Sequence, residues 1–400
     1  MSITYEPGAP AENGSIPLCV PEIRGNEWKY VKDCLDTGWV SSVGTYVSRF
    51  ETRMAELVGV RHAVATVNGT AALHIALLVA GIQPDDEALV STLTFIAPVN
   101  AIRYAGAWPV FMDAEPTYWQ MDPNKVVEFL EQDCEWDGAT LRNRATGRRV
   151  RAIIPVHILG HPVDLDPILD IADRYHLAVI EDATESLGTL YKGRMTGSLG
   201  SVACFSFNGN KLITTGGGGM LVTDNPEWAE KARYLTTQAK DDPLEYRHRE
   251  IGYNYRLTNM QAAMGCAQLE QVADYIAAKR RIAHRYSEAL QAVPGITPMP
   301  EAPWATSSFW LYTILVDETL YGRDSRSLLR ALAEARIQTR PLWQPMHQSE
   351  AHAQSQTRTC TTADRLVRQG LSLPCSVGLT DEQQETVIRQ IHQLAVRKPV

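Results

Sequence analysis

The sequence predicts an α/β protein: a mostly parallel, doubly wound sheet, followed by a smaller α+β unit. Three observations carry this. From about Pro21 to Asp224, short β-branched runs alternate with helical apolar spacings. From Thr258 to Val293 there is no proline, and Gly265 is the one glycine, so this stretch reads as a long connecting helix ended by Pro294-Gly295. A chain of 400 residues also exceeds the roughly 250–300 at which a single core stops growing. The expected division is an N-terminal arm (1–20), a large domain (21–257), the connecting helix (258–293) and a small C-terminal domain (294–400).

The elements follow in order. Residues 1–20 are rich in Pro, Gly and Ala and read as an extended arm. RHAVAT (61–66) is a strand, and GTAALHIALLVA (69–80) is apolar all round, as a buried helix is. EALVS (87–91) is a second strand and APVNAIRYA (97–105) a second helix. PVFMD (109–113) and RAIIPV (151–156) are strands. In 164–176, apolar residues at 165, 168, 169 and 172 have helical spacing, with Asp164 as the expected cap. LAVIE (177–181), SVACFSF (201–207) and GMLVT (219–223) complete the strands of the large unit. Beyond Pro294, strands are expected at 308–316 and 337–341, and helices near 325–335 and 380–395. The arginines at 142, 144, 148, 149 and 151 read as a solvated hairpin insert.

Composition narrows the function. The chain is 44% hydrophobic and 21% charged, ordinary values for a globular protein. A net charge of −8 argues against nucleic acid or an anionic membrane as the main partner. The seven cysteines are scattered, with no C-x-x-C pair, and read as free thiols in a reducing cytosol. No metal-ligand spacing occurs. The most apolar stretch, Ala71 to Ile82, contains His74 and is too short to span a bilayer, so a cytoplasmic protein is expected.

Chemistry concentrates at three places. Asn68-Gly69-Thr70 closes a strand and opens an apolar helix, which places unpaired amides and a hydroxyl at a positive helix end. The same tripeptide also serves as a plain turn and cap. IEDATES (180–186) ends a strand on Glu181-Asp182, where a carboxylate faces the ligand crevice of a parallel sheet. Asp182 suits a protonated ring nitrogen, or simply caps the next turn. FSFNGNKLITTGGGGM (205–220) delivers Ser206, then Lys211 on a loop, then four glycines. Desolvation of such a lysine lowers its pKa and suits it to a Schiff base, although a lone loop lysine is most often a surface residue. In this order the elements supply a phosphate site, a partner for a pyridine nitrogen and an aldehyde-binding lysine. That set fits pyridoxal 5'-phosphate.

These residues resemble the DegT-type sugar-nucleotide aminotransferase family, whose members have the aspartate aminotransferase-like fold type I. The resemblance runs from about Pro17 to Leu394. It rests on GWVSSVG (38–44), NGTAAL (68–73), TFIAPVNAI (94–102), PVHILGHPVDLDPI (155–168), IEDATESLG (180–188), FSFNGNK, TTGGGG, GYNYRLTN (252–259) and PLWQPMH (341–347). FSFNGNK with its unbroken glycine run, together with PLWQPMH, is similar to the branch acting on UDP-linked 4-keto-6-deoxy-N-acetylhexosamines.

The resemblance implies roles. Lys211 matches the Schiff-base lysine and Asp182 the pyridine-nitrogen partner. Gly69, Thr70 and Ser206 match phosphate contacts, and Phe95 matches the aromatic residue covering the ring. Glu185 lies where the family places Gln or Glu near the cofactor. Asn254 matches a residue that reaches the phosphate of a neighbouring subunit, so a homodimer with shared sites is implied. Trp39, Ser41, His157, Arg256 and His347 are candidate substrate contacts, and His161 stands where relatives often carry Asn. The implied reaction moves an amino group from L-glutamate to C4 of a nucleotide-linked keto sugar for surface glycan synthesis. A dTDP- or GDP-linked sugar is the alternative substrate, and a non-catalytic cofactor-binding regulator the alternative of another class. The family's dehydratases carry His in place of the lysine, and Lys211 argues against that reading. A nicotinamide enzyme is disfavoured because no G-x-G-x-x-G follows the first strand.

Overall fold

The computed structural model describes residues 14–242 and 244–395. The first thirteen residues of the expected arm therefore lie outside the described residues. The rest of the arm is seated: Ile16 exchanges backbone hydrogen bonds with Arg336 and Gln338, both at 2.9 Å.

Seven strands form the large sheet: β1 (His62–Thr66), β2 (Glu87–Ser91), β3 (Trp108–Met112), β4 (Val150–Ile154), β5 (Ala178–Asp182), β6 (Val202–Ser206) and β7 (Gly219–Thr223). Their spatial order is β1-β7-β6-β5-β4-β2-β3, with β7 antiparallel to both neighbours and the other pairs parallel. β5, β6 and β7 are buried along nearly their whole length, which explains their near-continuous apolar runs. All these strands lie within a residue or two of expectation.

Four helices flank the sheet: α1 (Glu27–Thr37), α2 (Thr45–Val58), α3 (Gly69–Val79) and α4 (Ala97–Tyr104). α5 (Asp166–Arg174) follows β4. Asp164 is not its cap. The helix begins at Asp166 after Leu165, and the Asp164 carboxylate instead accepts from the Tyr191 hydroxyl at 2.7 Å. The expected long connecting helix is two helices, α6 (Asn259–Leu269) and α7 (Val272–Leu290). At the junction the Glu270 and Gln271 amides bond three residues back, to Ala267 and Gln268, and this tightening breaks the α-helical ladder. The Glu270 carboxylate meanwhile receives Asn26, Tyr30, Arg49 and Arg53 from α1 and α2 and their borders. No glycine or proline marks the site, so only tertiary contacts could reveal it.

The C-terminal part builds an antiparallel sheet from β8 (Ile296–Thr297), β9 (Tyr312–Val316), β10 (Arg340–Pro341) and β12 (Gly370–Leu373), in the order β8-β9-β12-β10. α8 (Ser325–Glu334) and α9 (Asp381–Leu394) pack beside it. The expected strands at 308–316 and 337–341 are shorter, because 308–311 bends away toward the large sheet. The two-residue strand β11 (Gln356–Thr357) leaves this part altogether and pairs in parallel with β3 as an eighth strand of the large sheet. The expected hairpin insert is present as Cys134–Trp136 and Leu141–Asn143. Arg142 and Arg144 are exposed on it, Arg144 pairing with Glu135 at 3.2 Å, whereas Arg149, just before β4, bonds Asp86 at 2.6 Å and Arg151 lies within β4.

Candidate active site

At the C-terminal edge of β1, the Asn68 side chain caps α3 by accepting from the Ala71 amide at 2.7 Å, and its carbonyl accepts from Ala72 at 3.2 Å. Among the described residues, the Gly69 and Thr70 amides have no protein acceptor and point out of the helix end. The neighbouring strands close in on this turn. A Cβ on Gly69 would lie 2.9 Å from Ser206 Cβ, and one on Gly219 would lie 2.4 Å from the Asn68 carbonyl carbon. The glycine run thus brings β7 against the turn, and Ser206 at the end of β6 borders the same concavity. Bare amides at a helix end with a hydroxyl beside them suit a phosphate.

Asp182 ends β5 on that same edge. It is buried, and its carboxylate accepts from the Thr184 amide at 3.1 Å. Burial raises its pKa, and Thr184 and the Lys211 charge act the other way. Glu185 follows one turn on, buried, accepting from the Leu159 amide at 2.8 Å. Burial pushes it up to about 7 against the pull of Lys211. The Lys211 amine lies 3.8 Å from Glu185 and 3.9 Å from the centre of the Trp310 ring. Burial lowers the Lys211 pKa, opposed first by Glu185 and then by Asp182. The structure therefore brings Lys211, Asp182, Glu185, Ser206, Gly69 and Thr70 to one edge of the sheet.

Trp310 was not foreseen. It comes from the C-terminal part, and Gly160 makes the approach possible. That residue has φ +90°, and a Cβ there would meet Trp310 N at 2.6 Å. The indole N–H donates to the Asn210 carbonyl at 2.7 Å, beside Lys211. The only sequence signal is a tryptophan in a run that reads as ordinary strand. Glu181 was noted but given no role. It lies beneath Asp182, fully buried, accepting from the amides of Gly197, Leu199 and Gly200 and from His157 at 2.6–3.1 Å. Burial pushes its pKa up, but His157 and the amides outweigh that and hold it below the usual range.

His157 is thus not placed to touch substrate. Its Nδ1 accepts from the Val163 amide at 3.1 Å, its Nε2 faces Glu181, and none of its surface is exposed. His161 is also buried, pushed down to about 4 by desolvation, and stacked on Tyr118. Phe95 is 54% exposed on the loop after β2. His347 reaches that loop, bonding Thr92 at 2.8 Å and Asp364 at 3.1 Å. Asn254 is exposed, on a segment bridged to Thr237. Trp39 and Arg256 line a separate cavity of about 640 Å³ with Tyr46 and Asn259. Ser41 lies at its border, accepting from the Asn259 amide at 2.6 Å. Arg256 is anchored to Glu51 at 2.5 Å. A second cavity of about 400 Å³ is lined by Asn208, Asn210, Trp310, Arg340, Trp343 and Cys19, beside the lysine loop. Among the described residues no cluster has a metal-ligand arrangement, and no helix is long and apolar enough to cross a membrane.

The chain is similar to known proteins over nearly its whole length. A family model described as the DegT/DnrJ/EryC1/StrS aminotransferase family matches residues 21–392. The GDP-perosamine synthase of Caulobacter vibrioides is 39% identical over 382 residues, covering 95% of this chain and 98% of that protein. EpsN of Bacillus subtilis (strain 168), described as a pyridoxal phosphate-dependent aminotransferase, is 38% identical over 391 residues, covering 96% and 97%. The crystal structure of S. venezuelae DesV superposes with a TM-score of 0.84 at 31% identity, covering 94% and 95%.

Proposed function

This chain belongs to the DegT/DnrJ/EryC1/StrS aminotransferase family, and from that premise we propose that it transfers the amino group of L-glutamate to C4 of a nucleotide-linked 4-keto-6-deoxy sugar. The enzyme is a pyridoxal phosphate-dependent sugar-nucleotide aminotransferase. The observation that carries the residue assignment is the Lys211 amine, its side chain 13% exposed, held between Glu185 and Trp310 at the sheet edge that also carries Asp182 and the bare α3 amides.

The residues present fit the cofactor. The Gly69 and Thr70 amides and the Ser206 hydroxyl would hold its phosphate, and a side chain at Gly69 would fill that space. Asp182 would pair with the ring nitrogen and favour its protonated form. When bound, the cofactor would supply an electron sink for the carbon that loses its proton. Lys211 would hold it covalently, and its amine would take a proton from the amino-bearing carbon of the donor and return one in the opposite half-reaction. A depressed pKa keeps more of that amine neutral, as a base must be. Glu185, raised to about 7, sits close enough to relay the proton, and the Trp310 ring shields the amine from water. Phe95 and Asn254 are both exposed, which leaves Phe95 free to cover a bound ring and Asn254 free to reach the site of a second copy.

The carrier nucleotide is assigned to GDP, on the name of the relative at 39% identity. A UDP carrier is the second reading, favoured by FSFNGNK with its four-glycine run and by PLWQPMH. Two measurements test the proposal. L-glutamate added to the cofactor-loaded protein should shift its visible absorbance, and the absence of a shift would remove glutamate as donor. GDP-, UDP- and dTDP-linked 4-keto-6-deoxy sugars should then be compared by kcat/KM. A preference of tenfold or more for GDP supports the first reading, and the same preference for UDP replaces it with the second.

A further inference from the structure

Behind the Trp310 indole lies a buried cluster that the reaction does not use. Lys279 of α7 is 1% exposed, yet its amine donates to the carbonyls of Trp310 at 2.7 Å and Cys375 at 2.6 Å. Two sulfurs face the same amine, Cys375 Sγ at 3.5 Å and Cys19 Sγ at 3.6 Å. The backbones that carry them run side by side. The Cys375 amide donates to the Leu18 carbonyl at 2.7 Å, and the Val20 amide donates to the Ser376 hydroxyl at 3.0 Å. The two side chains are in direct contact, close enough to share a hydrogen bond. Cys375 is sealed, but Cys19 is half-buried and lines the 400 Å³ cavity, so a small solute reaches the pair from that side. Of the other five, Cys134 and Cys266 feel arginine charges, but burial holds both thiols up.

We propose that Cys19 and Cys375 are a reversible oxidation site, at which a peroxide closes a disulfide between the N-terminal segment and the residues following β12. One sulfur of the pair takes an oxygen from the peroxide, the O–O bond breaks and one water leaves. The second sulfur then attacks the first, the S–S bond forms and a second water leaves. Two thiols and one hydrogen peroxide thus give one disulfide and two waters. Lys279 favours the thiolate that begins the sequence. The hydrogen bond from Cys19 and the charge of Lys279 together hold the Cys375 thiol down to about 6. Contact with Cys375, and then burial, hold the Cys19 thiol up. The two sulfurs titrate as one pair under the Lys279 charge, so the thiolate is shared with Cys19, the sulfur that faces the cavity. The other titratable groups facing the pair are Tyr286, on α7, and Lys211, across Asn210. The site adjoins the lysine loop, because Cys19 Sγ donates to the Asn210 carbonyl at 3.4 Å, the atom that also receives the Trp310 indole.

The test uses the cofactor-loaded protein and hydrogen peroxide, followed by alkylation of the unfolded chain with N-ethylmaleimide and peptide mass spectrometry without reductant. The expected result is loss of two of the seven thiols, a peptide pair joining Cys19 to Cys375, and recovery of both thiols with dithiothreitol. Cys19→Ser and Cys375→Ser should each abolish the linked pair, whereas Cys134→Ser should retain it. The rate of linkage should rise with pH through about 6. It should fall roughly tenfold at neutral pH in Lys279→Met. If that variant does not fold, the wild-type pH profile stands in its place. No thiol loss, a lasting sulfinic acid without linkage, or linkage to other cysteines overturns the assignment, and a rate indifferent to pH overturns the part given to Lys279. Thiol count and linkage are read without turnover, so they stand apart from any failure of the proposed sugar chemistry.

Discussion

At the scale of single residues, one substitution removes together the two roles proposed for Lys211. Lys211→Ala should fold, since it deletes an amine rather than packing, and should lose the covalent link to the cofactor. The loss of a positioned base predicts a fall in turnover of about 10²–10⁴-fold or more. Steady-state kinetics with absorbance of the loaded variant checks both effects. Glu185 gives a prediction for the cofactor-free protein. Its carboxyl is raised from 4.5 to about 7 when folded, so the folded state holds the extra proton. Its contribution to stability is full below about 4.5 and is lost as pH rises through about 7, an effect of up to about 3 kcal/mol. Thermal unfolding from pH 5 to 8 should therefore slope downward more steeply in the wild type than in Glu185→Gln. Asp182 was legible in the sequence because it ends an apolar strand at the crevice edge, Lys211 only in combination with the other elements, and Glu185 only through the family resemblance. Trp310 was not, because it belongs to a distant segment whose apolar pattern has no period that distinguishes a site residue. His157 misled for the opposite reason: a histidine after a strand suggests the crevice, but its neighbours Val163 and Glu181 use both ring nitrogens.

At the scale of elements, the phosphate cradle depends on the contact between the α3 turn and the start of β7. Gly219→Ala would push a methyl into the Asn68 carbonyl. Overpacking of this kind costs about 1–3 kcal/mol. Because the turn is also the binding surface, cofactor affinity should fall by tenfold or more in a titration with pyridoxal phosphate. Gly216→Ala, with nothing within 4 Å of its added Cβ, should affect only its own strained φ of +79° and leave affinity within a few-fold. Strand and helix identities in the large sheet were legible because burial on both faces imposes continuous apolar runs on the strands. The break between α6 and α7 was not legible, because it is made by Glu270 binding side chains from α1 and α2 and not by any local breaker. Glu270→Ala should destabilise the protein by about 1 kcal/mol, measured by denaturant unfolding, without altering the absorbance of the bound cofactor.

At the scale of the whole molecule, contacts cross the expected boundary at residue 294 in several places. Thr306 and Ala305 pair with Leu190 and Tyr191, Asp113 accepts from the amides of Thr362 and Ala363, and β11 lies along Val110 and Phe111 of β3. A single cooperative thermal transition is therefore expected by calorimetry, and limited proteolysis should release no stable fragment beginning near residue 294. The α/β class and the mostly parallel character of the large sheet were readable from alternating strands and helices, but its strand order was not. The lacing was not, because a two-residue strand such as β11 carries no pattern. That lacing limits how the molecule opens. With the C-terminal part stitched to the far margin of the sheet, the expected route for a bulky sugar nucleotide is the parting of surface loops rather than two halves swinging apart like jaws. Scattering profiles of the loaded enzyme should then stay nearly superimposable with and without substrate, and selectivity rests on the rim of the entrance rather than on a clamshell closing behind the guest.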